Sequence, residues 1–133
     1  MEIIKDPKQI AYRSALQVER DIEAQELGVF CEDLRIKIKN RVSRNVKPLT
    51  AQETNELKVK IFSVARPHLE LQYGAWWRGS DVVIQDKVVN ATANEIIKLT
   101  QEADENVVIL IQHYAPLRIE YYFQQSQSEI QPK

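Results

Sequence analysis

HLELQYGAWWRGSDVVIQDKVV, residues 68–89, opens with an alternation of apolar and polar side chains from Leu69 to Trp77. Such alternation has the period of two that is typical of a half-buried strand. Residues 78–81, Arg-Gly-Ser-Asp, favour a turn, and the apolar Val-Val-Ile of residues 82–84 follows. The sequence therefore predicts an antiparallel hairpin of strands 68–77 and 82–89.

Three further segments have strand-like patterns. Residues 107–111 are apolar on both faces, as in a strand in the middle of a covered sheet, and residues 117–123 alternate as in a half-buried final strand. Residues 29–47 are ambiguous, because Leu34, Ile36 and Ile38 alternate while Leu34 and Ile38 also fit a helical spacing with Phe30 and Val42. The β-branched content favours a strand over 33–42.

Three helices are predicted between these strands. The first, over 7–27, starts at Asp6-Pro7 and ends at Gly28, and it has an apolar stripe of Ala11, Ala15, Val18 and Ile22. The second starts near residue 51 after the capping pattern Thr50 to Glu53 and ends at Pro67. The third starts with a similar pattern, Thr92 to Glu95, and ends near residue 104.

Taken together, these elements predict an α+β fold. We expect one domain over residues 1–123, with a largely antiparallel sheet of four or five strands and about three helices, followed by a flexible tail over 124–133. An alternative division sets a helical arm, 1–48, on a compact core, 50–123.

Composition excludes several classes of protein. The 18 basic and 19 acidic residues give a net charge of −1, so no overall field attracts nucleic acid or anionic membrane. Cys31 is the only cysteine, which excludes an internal disulfide and favours a reducing, cytoplasmic location. No segment resembles a signal peptide or approaches the ~20 apolar residues of a membrane span. With three glycines the chain has no phosphate-cradling loop, and we expect no cofactor.

A local basic run is the first candidate binding site. No acidic residue occurs between Asp33 and Glu53, and six cations lie in this interval: Arg35, Lys37, Lys39, Arg41, Arg44 and Lys47. On a strand, the first four would share one face and could follow a phosphate backbone. The alternative is that they protect a sheet edge or meet the acidic half of the first helix, in the same molecule or in a second copy.

The second candidate is Trp76-Trp77-Arg78. Adjacent strand residues point to opposite faces, so one indole is expected to face outward beside the arginine. Such a surface suits a protein partner, a sugar or a nucleic-acid base. A covering helix or the tail would make it structural instead.

Catalytic signals are weak by comparison. Neither His68 nor His113 has the spacing of a metal site, so no metal is expected. A metal-dependent hydrolase or nuclease using hairpin carboxylates is the alternative function, with four candidate residues: Glu70, Asp81, Asp86 and Lys87. The leading hypothesis is a non-catalytic binding or assembly protein, a subunit of a larger complex or a homo-oligomer, that contacts a protein or nucleic acid.

Overall fold

The computed structural model describes residues 6–42, 49–74, 82–103 and 107–130. They form four long helices: α1 Pro7–Val42, α2 Ala51–Tyr73, α3 Val82–Glu102 and α4 Val107–Ile130. Within these ranges there is no strand, so the predicted α+β fold with a four- to five-stranded sheet is wrong. The described chain is an all-helical bundle.

Each helix packs mainly against its neighbours in sequence, and α4 packs back onto α1. Arg41 near the end of α1 contacts Glu53 near the start of α2, while the Tyr12 hydroxyl donates to Glu70 near the end of α2 at 2.6 Å. These two contacts make α1 and α2 antiparallel. The arrangement is that of a four-helix bundle in which neighbours in sequence are neighbours in space.

In α4, residues at every fourth position form one buried face. They are Val107, Ile111, Ala115, Ile119 and Phe123. The predicted strands over 107–111 and 117–123 are wrong, because both segments lie within α4. Ile109, Leu117 and Tyr121, which the strand patterns would bury, are exposed. The helix continues to Ile130, through the first residues of the predicted tail.

The ambiguous segment of α1 follows the helical spacing. Leu34 and Ile38 are buried, whereas Ile36 between them is 52% exposed, so the predicted strand over 33–42 is wrong. Gly28, predicted to end the first helix, lies inside α1. The helix is 36 residues long, about 54 Å at 1.5 Å per residue.

The start of α2 was predicted correctly and its end was not. Thr50 Oγ1 accepts the Glu53 amide at 3.1 Å, and Glu53 Oε1 accepts the Thr50 amide at 3.0 Å, which confirms the capping box. The helix continues through Pro67 to Tyr73 and ends at Gly74, which has φ 59°. Proline removes one backbone hydrogen bond, and burial of the segment around it offsets that loss. The buried residues there are Pro67, His68, Leu69 and Leu71.

The predicted hairpin is therefore wrong over the residues that the structure describes, since 68–73 belong to α2 and 82–89 begin α3, while 75–81 lie outside the described ranges. Thr92 and Glu95, predicted to cap a helix, lie in the middle of α3. Thr92 is buried, and Glu95 accepts a hydrogen bond from Arg118 of α4 at 2.8 Å. The pattern Thr-x-x-Glu therefore has another cause here: Thr92 packs in the core, and Glu95 links α3 to α4 through Arg118.

All four helices contribute to one apolar core, and a smaller cluster of Leu34, Ile38 and Leu49 lies where α1 approaches the start of α2. The core side of α1 includes Leu16, Ala24, Leu27 and Cys31. This side fixes which face of α1 turns away from the bundle.

Candidate functional site

The basic run does not form a row on the helix. Residues two apart on a helix are about 200° apart around its axis, so Arg35 and Lys39 lie on one side of α1 and Lys37 and Arg41 on another. Arg44 and Lys47 lie outside the described residues. The prediction that four cations share one face depended on the strand and is wrong.

Three of the four described cations contact carboxylates of the same chain. Arg35 donates to both oxygens of Glu32, at 2.6 and 3.2 Å. Lys37 Nζ lies 2.9 Å from Asp33 Oδ2. Arg41 pairs with both carboxylate oxygens of Glu53, which lowers the pKa of Glu53 to about 2. Lys39 is exposed.

The second predicted site, Trp76, Trp77 and Arg78, lies outside the described residues. The hydrolase residues fare differently. Glu70 on α2 accepts a hydrogen bond from the Tyr12 hydroxyl of α1. Asp86 is exposed on α3, and Asp81 lies outside the described ranges. In the part of the chain that the structure describes, no group of three or more His, Cys, Asp or Glu side chains could hold a metal ion.

His68 is buried in a polar cluster formed by three helices. Its Nε2 lies 3.2 Å from Glu120 Oε1 of α4, and its Nδ1 lies 3.4 Å from Arg20 Nη1 of α1. Burial, followed by the positive charge of Arg20, lowers the pKa of His68, although Glu120 opposes the shift. The cluster is closed by its own hydrogen bonds, so it ties the helices together.

Cys31 is also buried, facing Thr100 of α3. Burial raises the pKa of its thiol to about 11, against the opposing effect of the Thr100 hydrogen bond. A thiol with such a pKa is protonated at neutral pH and is a poor nucleophile.

The outward face of α1 has a row of exposed apolar side chains. Its apolar residues recur at spacings of three, four and seven along the helix and point away from the bundle: Ala15, Val18, Ile22, Val29 and Ile36. The four larger ones are 50–58% exposed. We call this set the α1 stripe. Helical geometry places it opposite the buried side of the helix.

Two shallow grooves follow the α1 stripe. One is lined by Ala15, Val18 and Ile22 together with Glu19 and Glu23. The other lies toward α2, where Val29 and Phe30 are joined by Lys60, whose ammonium is 5.4 Å from the centre of the Phe30 ring. The grooves give a second helix space to pack its side chains.

Three of the five residues of the α1 stripe were predicted from the sequence to share one face of a helix. Ala15, Val18 and Ile22 form part of the stripe expected on the first helix, and an apolar stripe ordinarily faces the core. In the structure a different apolar stripe of α1 faces the core, and it consists of Leu16, Leu27, Leu34 and Ile38. The sequence contains a signal for this outcome. If the first helix is continued past Gly28, it has two apolar stripes on opposite sides, and packing against one bundle buries only one of them.

Comparison with protein-family models, with curated proteins and with solved structures found no match. Among the described helices, none combines the length and apolar character that a membrane crossing requires.

Proposed function

We propose that this protein is a non-catalytic binding or assembly protein that docks another polypeptide on the outward face of α1. The observation that carries the proposal is the exposure of the α1 stripe on the side of the helix opposite the core. Contiguous exposed apolar surface rimmed by polar groups is typical of interaction sites.

The dimensions of the α1 stripe suit a helix as the docked element. The stripe extends over 22 residues, from Ala15 to Ile36, with a rise of about 32 Å along the helix. An amphipathic helix docks with apolar residues at spacings of three, four and seven, and the stripe offers the same spacings. Because the other side of α1 is anchored in the bundle, the stripe is held in place before a partner arrives, which lowers the entropic cost of binding.

The basic run is not included in this proposal. Arg35, Lys37 and Arg41 each contact a carboxylate of the same chain, so that a phosphate group would have to compete for them. Hydrolysis by hairpin carboxylates is not included either, because the hairpin on which it depended is absent from the described chain.

The test is a double substitution on the α1 stripe, Ile22→Asp with Val29→Asp. Its matched control is Ile109→Asp with Leu117→Asp, two exposed apolar residues of α4 that receive the same added charge. Each protein is used to capture partners from a lysate of the source cells. A captured protein is then identified, purified and titrated against all three chains by calorimetry.

We expect the stripe variant to bind the purified partner at least tenfold more weakly, and the control to bind it as the unsubstituted chain does. Both variants should retain the free energy of unfolding to within about 0.5 kcal/mol, because all four residues are exposed. Equal binding by all three chains, a large loss of stability in the stripe variant, or failure to reconstitute any partner would contradict the proposal.

A further inference from the structure

We infer that the polypeptide docked on the α1 stripe is a basic amphipathic helix. This inference rests on the proposed function and names the chemistry of the partner. Between residues 19 and 33 the chain has six carboxylates and one cation, Arg20. The six are Glu19, Asp21, Glu23, Glu26, Glu32 and Asp33.

The single cation in this segment is not on the outward face. Arg20 lies on the buried side of α1, where Nη1 approaches His68 and Nε bonds Asp21 at 3.2 Å. The outward side of α1 itself therefore combines apolar residues with acidic borders, and Lys60 of α2 is the cation that lines the groove near Val29. Lysine and arginine on a docked helix would meet these borders while its apolar residues cover Val18, Ile22 and Val29.

Two of the carboxylates remain available for a partner. Glu19 pairs with Arg66, Glu32 with Arg35 and Asp33 with Lys37. Among the described residues, Glu23 and Glu26 are in no salt bridge. Glu23 lines the groove near Val18, and Glu26 lines the groove near Val29, so one free carboxylate borders each groove.

A second copy of this chain fits the surface less well. A symmetric antiparallel pair centred between Ile22 and Val29 would place the Glu26 carboxylates of the two copies, which are unpaired among the described residues, side by side. Like charges in such positions oppose association. The same carboxylates disfavour an anionic membrane surface. A separate basic helix is the occupant for which both the apolar and the charged groups find partners.

The test uses two synthetic peptides of about 20 residues, enough to cover the α1 stripe as a helix. Both have the same leucine and isoleucine positions at spacings of three and four. One has lysine and arginine at the flanking positions, and the other has glutamate. Each fluorescently labelled peptide is titrated with the full chain at about 50 mM and about 300 mM salt, since screening weakens exposed charge pairs.

We expect the basic peptide to bind at least about tenfold more tightly than the acidic one, and to lose affinity at the higher salt concentration. Glu23→Lys with Glu26→Lys should weaken the basic peptide about fivefold or more and strengthen the acidic one. The matched control is Asp86→Lys with Glu102→Lys on α3, which changes the net charge equally and should leave both affinities within about twofold.

Each other result overturns the inference in a recognisable way. If the acidic peptide binds as tightly as the basic one, the charge assignment is wrong although a docking face remains. Equal weakening by the α1 and α3 charge reversals would show attraction by net charge alone. If neither peptide binds, the inference fails, and the reconstituted natural partner still decides the proposed function separately.

Discussion

Gly28 of α1 lies directly against the backbone of Val108 at the start of α4. A Cβ atom built on Gly28 would lie 2.5 Å from the Val108 carbonyl oxygen and 2.9 Å from its Cα. Both distances are shorter than the contacts that a Cβ atom makes with non-bonded atoms. The atoms that would have to move belong to the backbone of Val108. The absence of a side chain at residue 28 thus sets how closely α4 approaches α1.

We predict that Gly28→Ala destabilises the protein despite the better helix propensity of alanine. Propensity alone would favour alanine by about 1 kcal/mol inside a helix. The clash with Val108 should outweigh it and leave a net loss of about 1–3 kcal/mol in the free energy of unfolding, measured by urea denaturation. Gln25→Ala on the exposed face of α1 is the control, expected within about 0.5 kcal/mol of the unsubstituted chain. A Gly28→Ala chain as stable as the parent would contradict the close approach.

A second prediction concerns Glu53, which completes the capping box of α2 and pairs with Arg41 of α1. Its pKa is lowered from 4.5 to about 2, mainly by the hydrogen bond with Arg41. A lowered carboxyl pKa adds stability that is present above pH 4.5 and is lost as the pH falls toward 2. Glu53→Gln should therefore cost about 1.5–3 kcal/mol at pH 7, the range for hydrogen bonds to a charged group.

The measurement is the difference in unfolding free energy between the two chains from pH 7 to pH 2. We expect the difference to shrink below pH 4.5 as Glu53 becomes protonated in the unfolded chain and then in the folded one. Glu56→Gln, an exposed carboxylate of the same helix, serves as the control and should show a much smaller difference at pH 7. A Glu53→Gln difference that persists unchanged at pH 2 would show that the charge of Glu53 is not involved.

The fold could be predicted from the sequence only at particular points. The capping box at Thr50 was readable because both side chains act within one turn of the backbone. The strands were mispredicted because Leu69, Leu71 and Tyr73 alternate over a segment too short for periodicity to separate strand from helix. In α4 the buried positions from Val107 to Phe123 keep a helical spacing across Pro116, whereas the two predicted strands lay on either side of that proline.

The candidate site was predicted in part. The basic run was visible as a composition anomaly, but its pairing with Glu32, Asp33 and Glu53 depends on the helical geometry of α1 and the approach of α2. Val18 and Ile22 were recognised as an apolar stripe, yet nothing local distinguishes a stripe that faces the core from one that faces outward. That distinction is made by the stronger apolar series through Leu27 and Leu34.

The last prediction concerns His68, whose Nδ1 must accept from Arg20 because a guanidinium cannot accept, so its Nε2 holds the hydrogen that Glu120 accepts. The neutral ring satisfies both contacts, whereas protonation would place a second donor against Arg20. The folded pKa therefore lies below the ordinary 6.5, mainly because of burial. Between the folded pKa and 6.5, the histidine is protonated more often in the unfolded chain than in the folded one. Its contribution to stability is therefore complete above pH 6.5 and is lost as the pH is lowered. The measurement is urea denaturation at pH 7.5 and at pH 5.5. Between these two pH values the unsubstituted chain should lose more stability than His68→Gln does. His113→Gln, a substitution of an exposed histidine, should lose as much stability as the unsubstituted chain. Parallel losses in all three chains would place the titration elsewhere than in this cluster.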